Sequence, residues 1–384
     1  MEMNERPIPF NRVSTRASEI RYITEAIASG QIAGDQRFSK LCQSLLESTL
    51  GVQRTLVTTS CTHALEIAAI LLDICPGDEV IIPSFTFVST ANAFVLRGAK
   101  PIFCDIRPDT LNLDETKIEG LVTERTRAIV PVHYAGVACE MDTILEIANR
   151  RGISVIEDNA HGLFGKYKGR WLGTLGGLAT QSFHATKNIS CGEGGALIIN
   201  DEEFIRRAEI IREKGTDRAR FFRGEVDKYS WVDIGSSYVM GDVLAAILFS
   251  QLESCLEIQS KRRAIWERYD AELRGWCSEQ GVRQPIVPVD CEQAYHMYYL
   301  LMPNLASRTS LIGHLAKHNI SAVFHYLPLH ASEYIKRSGD DPAHYPVTEE
   351  VSDRIVRLPF FTDLAADEQD VVIHTVRNFS SSIL

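Results

Sequence analysis

One lysine, Lys187, stands in a sequence context that favours chemistry over solvent exposure. Residues 178–183 form an apolar, strand-like run, glycines cluster at 192–195, and residues 196–199 form a second apolar strand. A lysine between a strand end and a glycine turn can be desolvated, which lowers the pKa of its ammonium group and makes the amine a nucleophile toward aldehydes. Pyridoxal phosphate (PLP) is the cofactor that binds such a lysine as an imine. An ordinary surface lysine is the alternative interpretation.

A carboxylate is predicted at the end of another strand. Residues 153–157 have the pattern of a strand, and Asp158 follows them directly. An aspartate beside the pyridine nitrogen of PLP keeps that nitrogen protonated, so that the ring can withdraw electrons. A turn or capping role is the alternative for such an aspartate. Its combination with the strand-end Lys187 favours the catalytic interpretation.

A hydroxyl-rich turn precedes the first strongly apolar helix. Residues 55–59 have the pattern of a strand, Ser60, Thr62 and His63 follow, and residues 64–72 have the pattern of a buried helix. The free backbone N–H groups and the dipole at a helix N-terminus favour a phosphate there. A cap that serves only the helix is the alternative.

Three more side chains are candidates for the same site. Phe87 could stack on the cofactor ring, although most phenylalanines pack in the core. His161 could contact the ring or its phenolic oxygen, or it could be a hydrogen-bonded structural histidine. Ser182 could donate to the phosphate, or it could be an exposed strand hydroxyl.

These candidates need elements that bring them together. Short apolar strands alternate with helices up to residue 200, which predicts an α/β fold with a mostly parallel sheet covered by helices on both faces. Ligands bind at the carboxyl ends of the strands of such sheets. The candidates that fall just past predicted strand ends are Ser60, Phe87, Asp158 and Lys187.

The regular alternation of predicted strands and helices does not continue after residue 250. We therefore predict a large domain over residues 1–250 and a smaller α+β domain over residues 251–384. Strands are predicted in this second part over residues 295–302 and 322–326.

Composition excludes several classes of protein. The 384 residues are 45% hydrophobic and 23% charged with a net charge of −10, and they contain no long basic run, so nucleic acid is not an expected partner. No apolar stretch approaches the roughly 20 residues that span a bilayer, so no membrane association is expected. The nine cysteines are scattered without a Cys-x-x-Cys pair. This argues against disulfides and a metal site, and it favours the cytoplasm.

Several motifs together resemble the DegT/DnrJ/StrS family of nucleotide-sugar aminotransferases. The similarity runs over nearly the whole chain. The segments that carry it are residues 60–62, 83–87, 131–136, 157–158, 182–188, 192–195 and 325–330. The resemblance implies PLP fold type I with a seven-stranded, mostly parallel sheet. It also implies a homodimer whose active sites are shared between the subunits.

The resemblance further implies roles for the candidate residues. Lys187 would hold PLP covalently, Asp158 would pair with the pyridine nitrogen, and Phe87 would stack on the ring. The residues implied to hold the phosphate are Thr62, His63 and Ser182, and Ser60 and His161 complete the cofactor-binding set.

Two positions depart from the family pattern. Ser237 stands where the family has an asparagine that binds the partner subunit's cofactor phosphate, and Cys61 replaces a common glycine. The segment 214–233 matches a hairpin that reaches into the neighbouring subunit, where its basic residues could meet a nucleotide diphosphate. A solvated charged loop is the alternative. The residues predicted to contact substrate are Lys214, Arg220, Tyr326 and His330.

The expected reaction follows from the resemblance. It is the amination of dTDP-4-keto-6-deoxy-D-glucose by L-glutamate to give dTDP-4-amino-4,6-dideoxy-D-galactose, a sugar for bacterial surface polysaccharides. Sibling enzymes that aminate C3, give the gluco product or use another nucleotide remain open. A PLP sugar dehydratase is disfavoured because histidine replaces the lysine in that branch. A non-catalytic PLP-binding regulator is disfavoured because no DNA-binding segment is found.

Overall fold

The computed structural model describes residues 6–338 and 344–380. Its strands are Arg54–Thr58 (β1), Glu79–Pro83 (β2), Lys100–Cys104 (β3), Thr126–Ile129 (β4), Ser154–Asp158 (β5), Lys166–Tyr167 (β6), Arg170–Trp171 (β7), Leu178–Ser182 (β8), Gly195–Ile199 (β9), Cys291–Glu292 (β10), Tyr299–Leu301 (β11) and Ile355–Arg357 (β12). Its α-helices are Glu19–Ala28 (α1), Arg37–Leu50 (α2), Cys61–Leu71 (α3), Val88–Val95 (α4), Glu115–Leu121 (α5), Met141–Arg151 (α6), Ile205–Arg212 (α7), Arg218–Phe222 (α8), Asp242–Glu253 (α9), Cys255–Gln280 (α10), Leu305–Lys317 (α11), Glu333–Ser338 (α12), Pro346–Arg354 (α13) and Ala366–Arg377 (α14).

The central sheet has seven strands in the order β1-β9-β8-β5-β4-β2-β3. β2 pairs in parallel with β3 and β4, β4 pairs with β5, and β5 pairs with β8. Within this sheet only β9 runs against the others, since it is antiparallel to both β1 and β8. The predicted mostly parallel α/β sheet is confirmed. The carboxyl ends of β1, β5 and β8 meet at one edge, where β9 begins.

Helices cover both faces of the sheet, as the alternation of side chains along a strand requires. In β9, Leu197 and Ile199 pack in a core cluster with α3, whereas Ala196 and Ile198 pack in a second cluster with α2 and α9. Helix α3 is apolar on almost every side because it lies between the sheet, α4 and α7. None of the helices described is long and apolar enough to cross a bilayer.

A separate core lies in the part of the chain that follows α9. Helix α10 packs with α11, α14 and the two-stranded sheet β11–β12 around Tyr269, Leu300, Val356 and Val372. Ile8, near the start of the chain, completes this cluster. The domain division at residue 250 stays a prediction.

Two strands predicted in this second part differ from the structure: one is shorter than predicted and the other is absent. The strand predicted over residues 295–302 shrinks to Tyr299–Leu301, because the carbonyls of Tyr295 and His296 accept hydrogen bonds from the Arg262 side chain. Residues 322–326 form no strand and make one isolated bridge, from Val323 to Arg357. The segment 214–233 contains the short helix α8 and is closed by a bridge between Thr216 and Trp231.

Candidate active site

A cavity of about 590 Å³ opens at the edge of the sheet where β1, β5 and β8 end. It is lined by residues from these strand ends, from α3 and α4, and from the second part of the chain. The residues selected from the sequence that line it are Ser60, Thr62, Phe87, Asp158, His161, Ser182, Lys187 and Tyr326.

Lys187 lies on the loop between β8 and β9. Two backbone hydrogen bonds join the two sides of this loop. They run from Phe183 N–H to the Gly194 carbonyl and from Ala185 N–H to the Gly192 carbonyl, and each is 2.8 Å long. Burial lowers the pKa of the Lys187 ammonium to about 8, even though the nearby Asp158 opposes that shift. A large share of the amine is therefore neutral near pH 8 and can act as a nucleophile or a base.

The loop is fixed from outside by the residue that follows the lysine. The buried Asn188 donates to the Ala294 carbonyl at 2.6 Å, and its Oδ1 lies 2.8 Å from His296 Nδ1. Asn11 donates to the Ala185 carbonyl at 3.0 Å. The position of Lys187 thus depends on contacts with a segment near the start of the chain and with residues 294–296.

Asp158 is the last residue of β5 and is 5% exposed. Its Oδ2 accepts a hydrogen bond of 2.7 Å from Thr90 Oγ1, and Oδ1 accepts one of 3.2 Å from Ala160 N–H. The preceding Glu157 makes different contacts, with His133 Nε2 at 2.8 Å and with backbone N–H groups. The alternation along β5 therefore sends Asp158 into the cavity and Glu157 into a structural network.

The N-terminus of α3 also lines the cavity. Ser60 is the N-cap, and its Oγ accepts a 3.1 Å hydrogen bond from His63 N–H. Thr62 Oγ1 lies 2.8 Å from Ser89 Oγ. A Cβ added to Gly195 would lie 2.3 Å from the Cys61 nitrogen, so this glycine permits close approach of β9 to the helix start.

Five selected residues do not line the cavity of their own chain. The His63 ring bonds Thr59 Oγ1 and packs against Tyr238. Ser237 is exposed and pairs with Glu213 in a backbone bridge. The other three are held in polar contacts elsewhere: Lys214 with Glu213, Arg220 with Glu225, and His330 with Ser84 and Glu349. Their assigned roles stay predictions.

One wall of the cavity consists largely of residues that the sequence analysis did not select. His161 stacks on His296 with ring centroids 4.2 Å apart, and Tyr134 shares a 2.9 Å hydrogen bond with His325. Burial lowers the pKa of all three histidines well below its usual value, so they are neutral. Of these three histidines, only His325 lay in a motif that carried the resemblance. The main residues that were missed are Phe10, Thr86, Thr90, His296, His325 and Arg357.

The comparisons with known proteins agree with this site. A family model described as the DegT/DnrJ/EryC1/StrS aminotransferase family matches residues 13–377. The chain belongs to this aminotransferase family.

Relatives of this DegT/DnrJ/EryC1/StrS aminotransferase cover nearly its full length. The spore coat polysaccharide biosynthesis protein SpsC of Bacillus subtilis is 33% identical over 97% of this chain and 96% of its own. Spr1654 of Streptococcus pneumoniae, assigned as a sugar aminotransferase, is 28% identical in its PLP form, with a TM-score of 0.91 over 99% and 100% of the two chains. PseC of Helicobacter pylori, an aminotransferase of pseudoaminic acid biosynthesis, is 25% identical, with a TM-score of 0.87 over 97% and 98%.

This protein is therefore a PLP-dependent aminotransferase of PLP fold type I, as the family match and the PLP and PMP forms of Spr1654 indicate. The residues present fit the cofactor. An amine of lowered pKa and a buried carboxylate line the same cavity, and the open start of α3 can take an anion. His161 Nδ1 is buried without a hydrogen-bond partner in the described chain, so it is free to bond a ligand atom.

Proposed function

We propose that this aminotransferase converts dTDP-4-keto-6-deoxy-D-glucose into dTDP-4-amino-4,6-dideoxy-D-galactose with L-glutamate as the amino donor. In the balanced reaction the keto sugar gains the amino group in place of its carbonyl oxygen, and glutamate becomes 2-oxoglutarate. The observation that carries the transamination is that Lys187 and Asp158 line one cavity at the strand ends. The sugar is supported by the resemblance of residues 71–105, 131–142 and 235–238 to the transaminase that makes this product.

The residues of the cavity would divide the work as follows. When bound, PLP supplies a site that accepts an amino group from the donor and passes it to a sugar carbonyl. Lys187 would hold the cofactor and then move a proton at its Nζ atom, for which a pKa near 8 is well matched. Asp158, oriented by Thr90, would keep the pyridine nitrogen charged.

The remaining contacts to the cofactor would be made to its phosphate and to one face of its ring. The backbone N–H groups at the start of α3, with Thr62 and Ser182, would hold the phosphate. Phe87, whose side chain is 57% exposed at the cavity, would cover one face of the ring. Tyr326 would contact the substrate, since it lines the same cavity.

We also propose a homodimer with shared active sites. Large apolar side chains are exposed near the cavity and on the segment around α8, among them Phe87, Phe222 and Trp231. Such exposure is typical of a surface that another chain covers. Lys214, Arg220 and Ser237 would then serve the partner's substrate and cofactor. The cysteines are all free, which fits the cytoplasm.

Product analysis tests this function. The enzyme with PLP, glutamate and dTDP-4-keto-6-deoxy-D-glucose should give a product whose ring couplings in NMR show an axial 4-amino group. Glutamate alone should bleach the visible absorbance of the bound cofactor. An equatorial amine or amination at C3 would identify a sibling aminotransferase. Loss of water from the sugar without consumption of glutamate would identify a dehydratase.

A further inference from the structure

One cation in the cavity wall has no carboxylate partner in the described part of the chain. Arg357, at the end of β12, lines the cavity, and its Nε is buried without a hydrogen-bond partner. The guanidinium carbon lies 4.5 Å from the centroid of the Phe10 ring. This cation–π contact covers one face of the guanidinium plane but satisfies none of its in-plane N–H donors.

Two fully buried arginines of this chain differ from Arg357 because their terminal guanidinium nitrogens have hydrogen-bond partners, although Arg212 Nε has none. Arg262 donates to the carbonyls of Tyr295 and His296, at 2.9 and 2.6 Å. Arg212 donates to the Val57 carbonyl at 3.0 Å and pairs with Asp35. A buried charge without a partner is costly, so the arrangement of Arg357 needs a reason that the fold alone does not supply.

The position of Arg357 indicates which ligand would supply the missing charge. Its positive charge acts on the ammonium of Lys187 and on His161, so it faces the space around the reacting amine. The carboxylate of Asp158 already interacts with Lys187. The cavity therefore holds one positive group more than its buried carboxylate can neutralise, close to where the donor's reacting carbon must lie.

We propose that Arg357 binds the α-carboxylate of the amino donor. This inference rests on the proposed function, in which an amino acid supplies the nitrogen. The carbon from which Lys187 would remove a proton carries the α-carboxylate directly, so this anion must lie near the Lys187 amine. A guanidinium fork matches a carboxylate with two parallel hydrogen bonds.

The other anions of the reaction fit this position less well. The cofactor phosphate would lie at the start of α3, where free backbone N–H groups line the cavity. The diphosphate of a sugar nucleotide is attached at C1, so the width of the sugar ring separates it from a reacting C4. Arg357 would therefore set specificity for amino acids as donors rather than for the nucleotide.

The test compares Arg357→Gln with Arg308→Gln in the PLP-loaded enzyme. Arg308 is the matched control because its guanidinium also lies over a ring, that of Phe324, and its Nε is also buried without a partner, but it does not line the cavity. We expect Arg357→Gln to raise the KM for glutamate by about 10- to 100-fold and to change the KM for the keto sugar far less. Arg308→Gln should change neither, and Arg357→Lys should recover part of the loss.

Binding without turnover gives a second readout. Calorimetric titration with α-methylglutamate, which lacks the hydrogen that the reaction removes, should show the same weakening in Arg357→Gln and none in Arg308→Gln. An unchanged Kd and an unchanged KM for glutamate in Arg357→Gln would overturn the inference.

The choice of donor separates the two proposals and the two carboxylates of glutamate. If the wild-type enzyme ignores glutamate but accepts another amino acid, the proposed donor is wrong, and Arg357→Gln is tested with that amino acid instead. If Arg357→Gln weakens the binding of alanine and of glutamate by the same factor, the α-carboxylate is the group that Arg357 binds. A loss confined to glutamate would assign Arg357 to the side-chain carboxylate and contradict the proposal.

Discussion

At the scale of single residues, the site depends on how burial sets the charge of one amine. Lys187 is charged when unfolded at neutral pH, but burial brings the pKa of its folded state to about 8. Neutral amine is the reactive form, and its fraction rises with pH until the pH is about one unit above the pKa. The residue that attacks the cofactor thus becomes reactive near physiological pH.

The pH dependence of cofactor uptake follows from this pKa. We expect the rate at which PLP-free protein binds PLP covalently to rise about fivefold from pH 7 to pH 8 and to level off above pH 9. Visible absorbance measures the rate, and borohydride reduction followed by mass spectrometry should place the label on Lys187. A midpoint near 10.5 would show that the amine is not desolvated. Lys187→Ala should take up no covalent label, whereas exchange of the exposed Lys168 should have no effect.

Asp158 is expected to affect the rate of the reaction and not the binding of the cofactor. Asp158→Asn keeps the shape of the side chain but removes the charge that would hold the pyridine nitrogen protonated. We expect PLP to remain bound and kcat to fall by about 100-fold or more. Stopped-flow measurement of the glutamate half-reaction checks this.

A second aspartate provides the control for that experiment. Asp105 is also buried and also follows a strand, but it bonds Thr348 outside the cavity. Asp105→Asn should lower the free energy of unfolding while kcat stays near the wild-type value. Equal kcat in Asp158→Asn and the wild type would remove the assigned role.

At the scale of elements, the site requires that β9 and α3 come unusually close. Gly195 pairs with Thr58 on one side and Ser182 on the other, directly beneath the start of α3. A Cβ at Gly195 would overlap backbone atoms of Ser60 and Cys61, which cannot swing aside as a side chain could. The anion-binding end of the cavity and the packing of the sheet are therefore one structural feature.

Gly195→Ala should consequently damage stability and cofactor binding together. We expect a loss of about 1–3 kcal/mol in the free energy of unfolding, measured in urea, with weaker PLP binding. Gly177→Ala is the control, since its added Cβ would meet its nearest neighbour at 3.9 Å, an ordinary contact. Equal unfolding midpoints for the two variants would contradict this account of β9.

Elements with a strong local pattern were predictable from the sequence. The strands β5, β8 and β9 are short apolar runs whose burial on both faces leaves little choice of structure, and their ends placed Asp158 and Lys187 correctly at one edge. Residues 322–326 have a strand-like composition, but their neighbours take His325 and Tyr326 into the cavity wall instead of a ladder. Local propensity cannot include that tertiary contact.

Arg357 shows the same limit for a site residue. It reaches the cavity because β12 pairs with β11, far along the chain from Lys187. Neither its neighbours nor its spacing distinguishes it from arginines that form surface ion pairs. Thr90 was missed for a related reason, since its role is to hold Asp158 and appears only when α4 lies against β5.

At the scale of the whole molecule, the proposed dimer explains residues that have no function within one chain. Ser237 is exposed and lies outside the cavity of its own subunit, although it occupies the position of a phosphate-binding residue in the family pattern. If the sites are shared, each cavity takes Lys187 from one chain and Ser237 from the other. Two chains that are each inactivated at a different one of these positions should then regain activity when they form a dimer together.

Heterodimers provide the test. Ser237→Arg should inactivate by placing a bulky cation in the partner's cavity, while the backbone bridge of residue 237 to Glu213 can remain. A dimer of one Lys187→Ala chain and one Ser237→Arg chain, isolated with two different tags, contains one cavity with both native residues. It should have about half of the wild-type activity, although both parent homodimers are inactive. If each cavity used residues of one chain alone, the Ser237→Arg homodimer would itself stay active, and the shared site would be wrong.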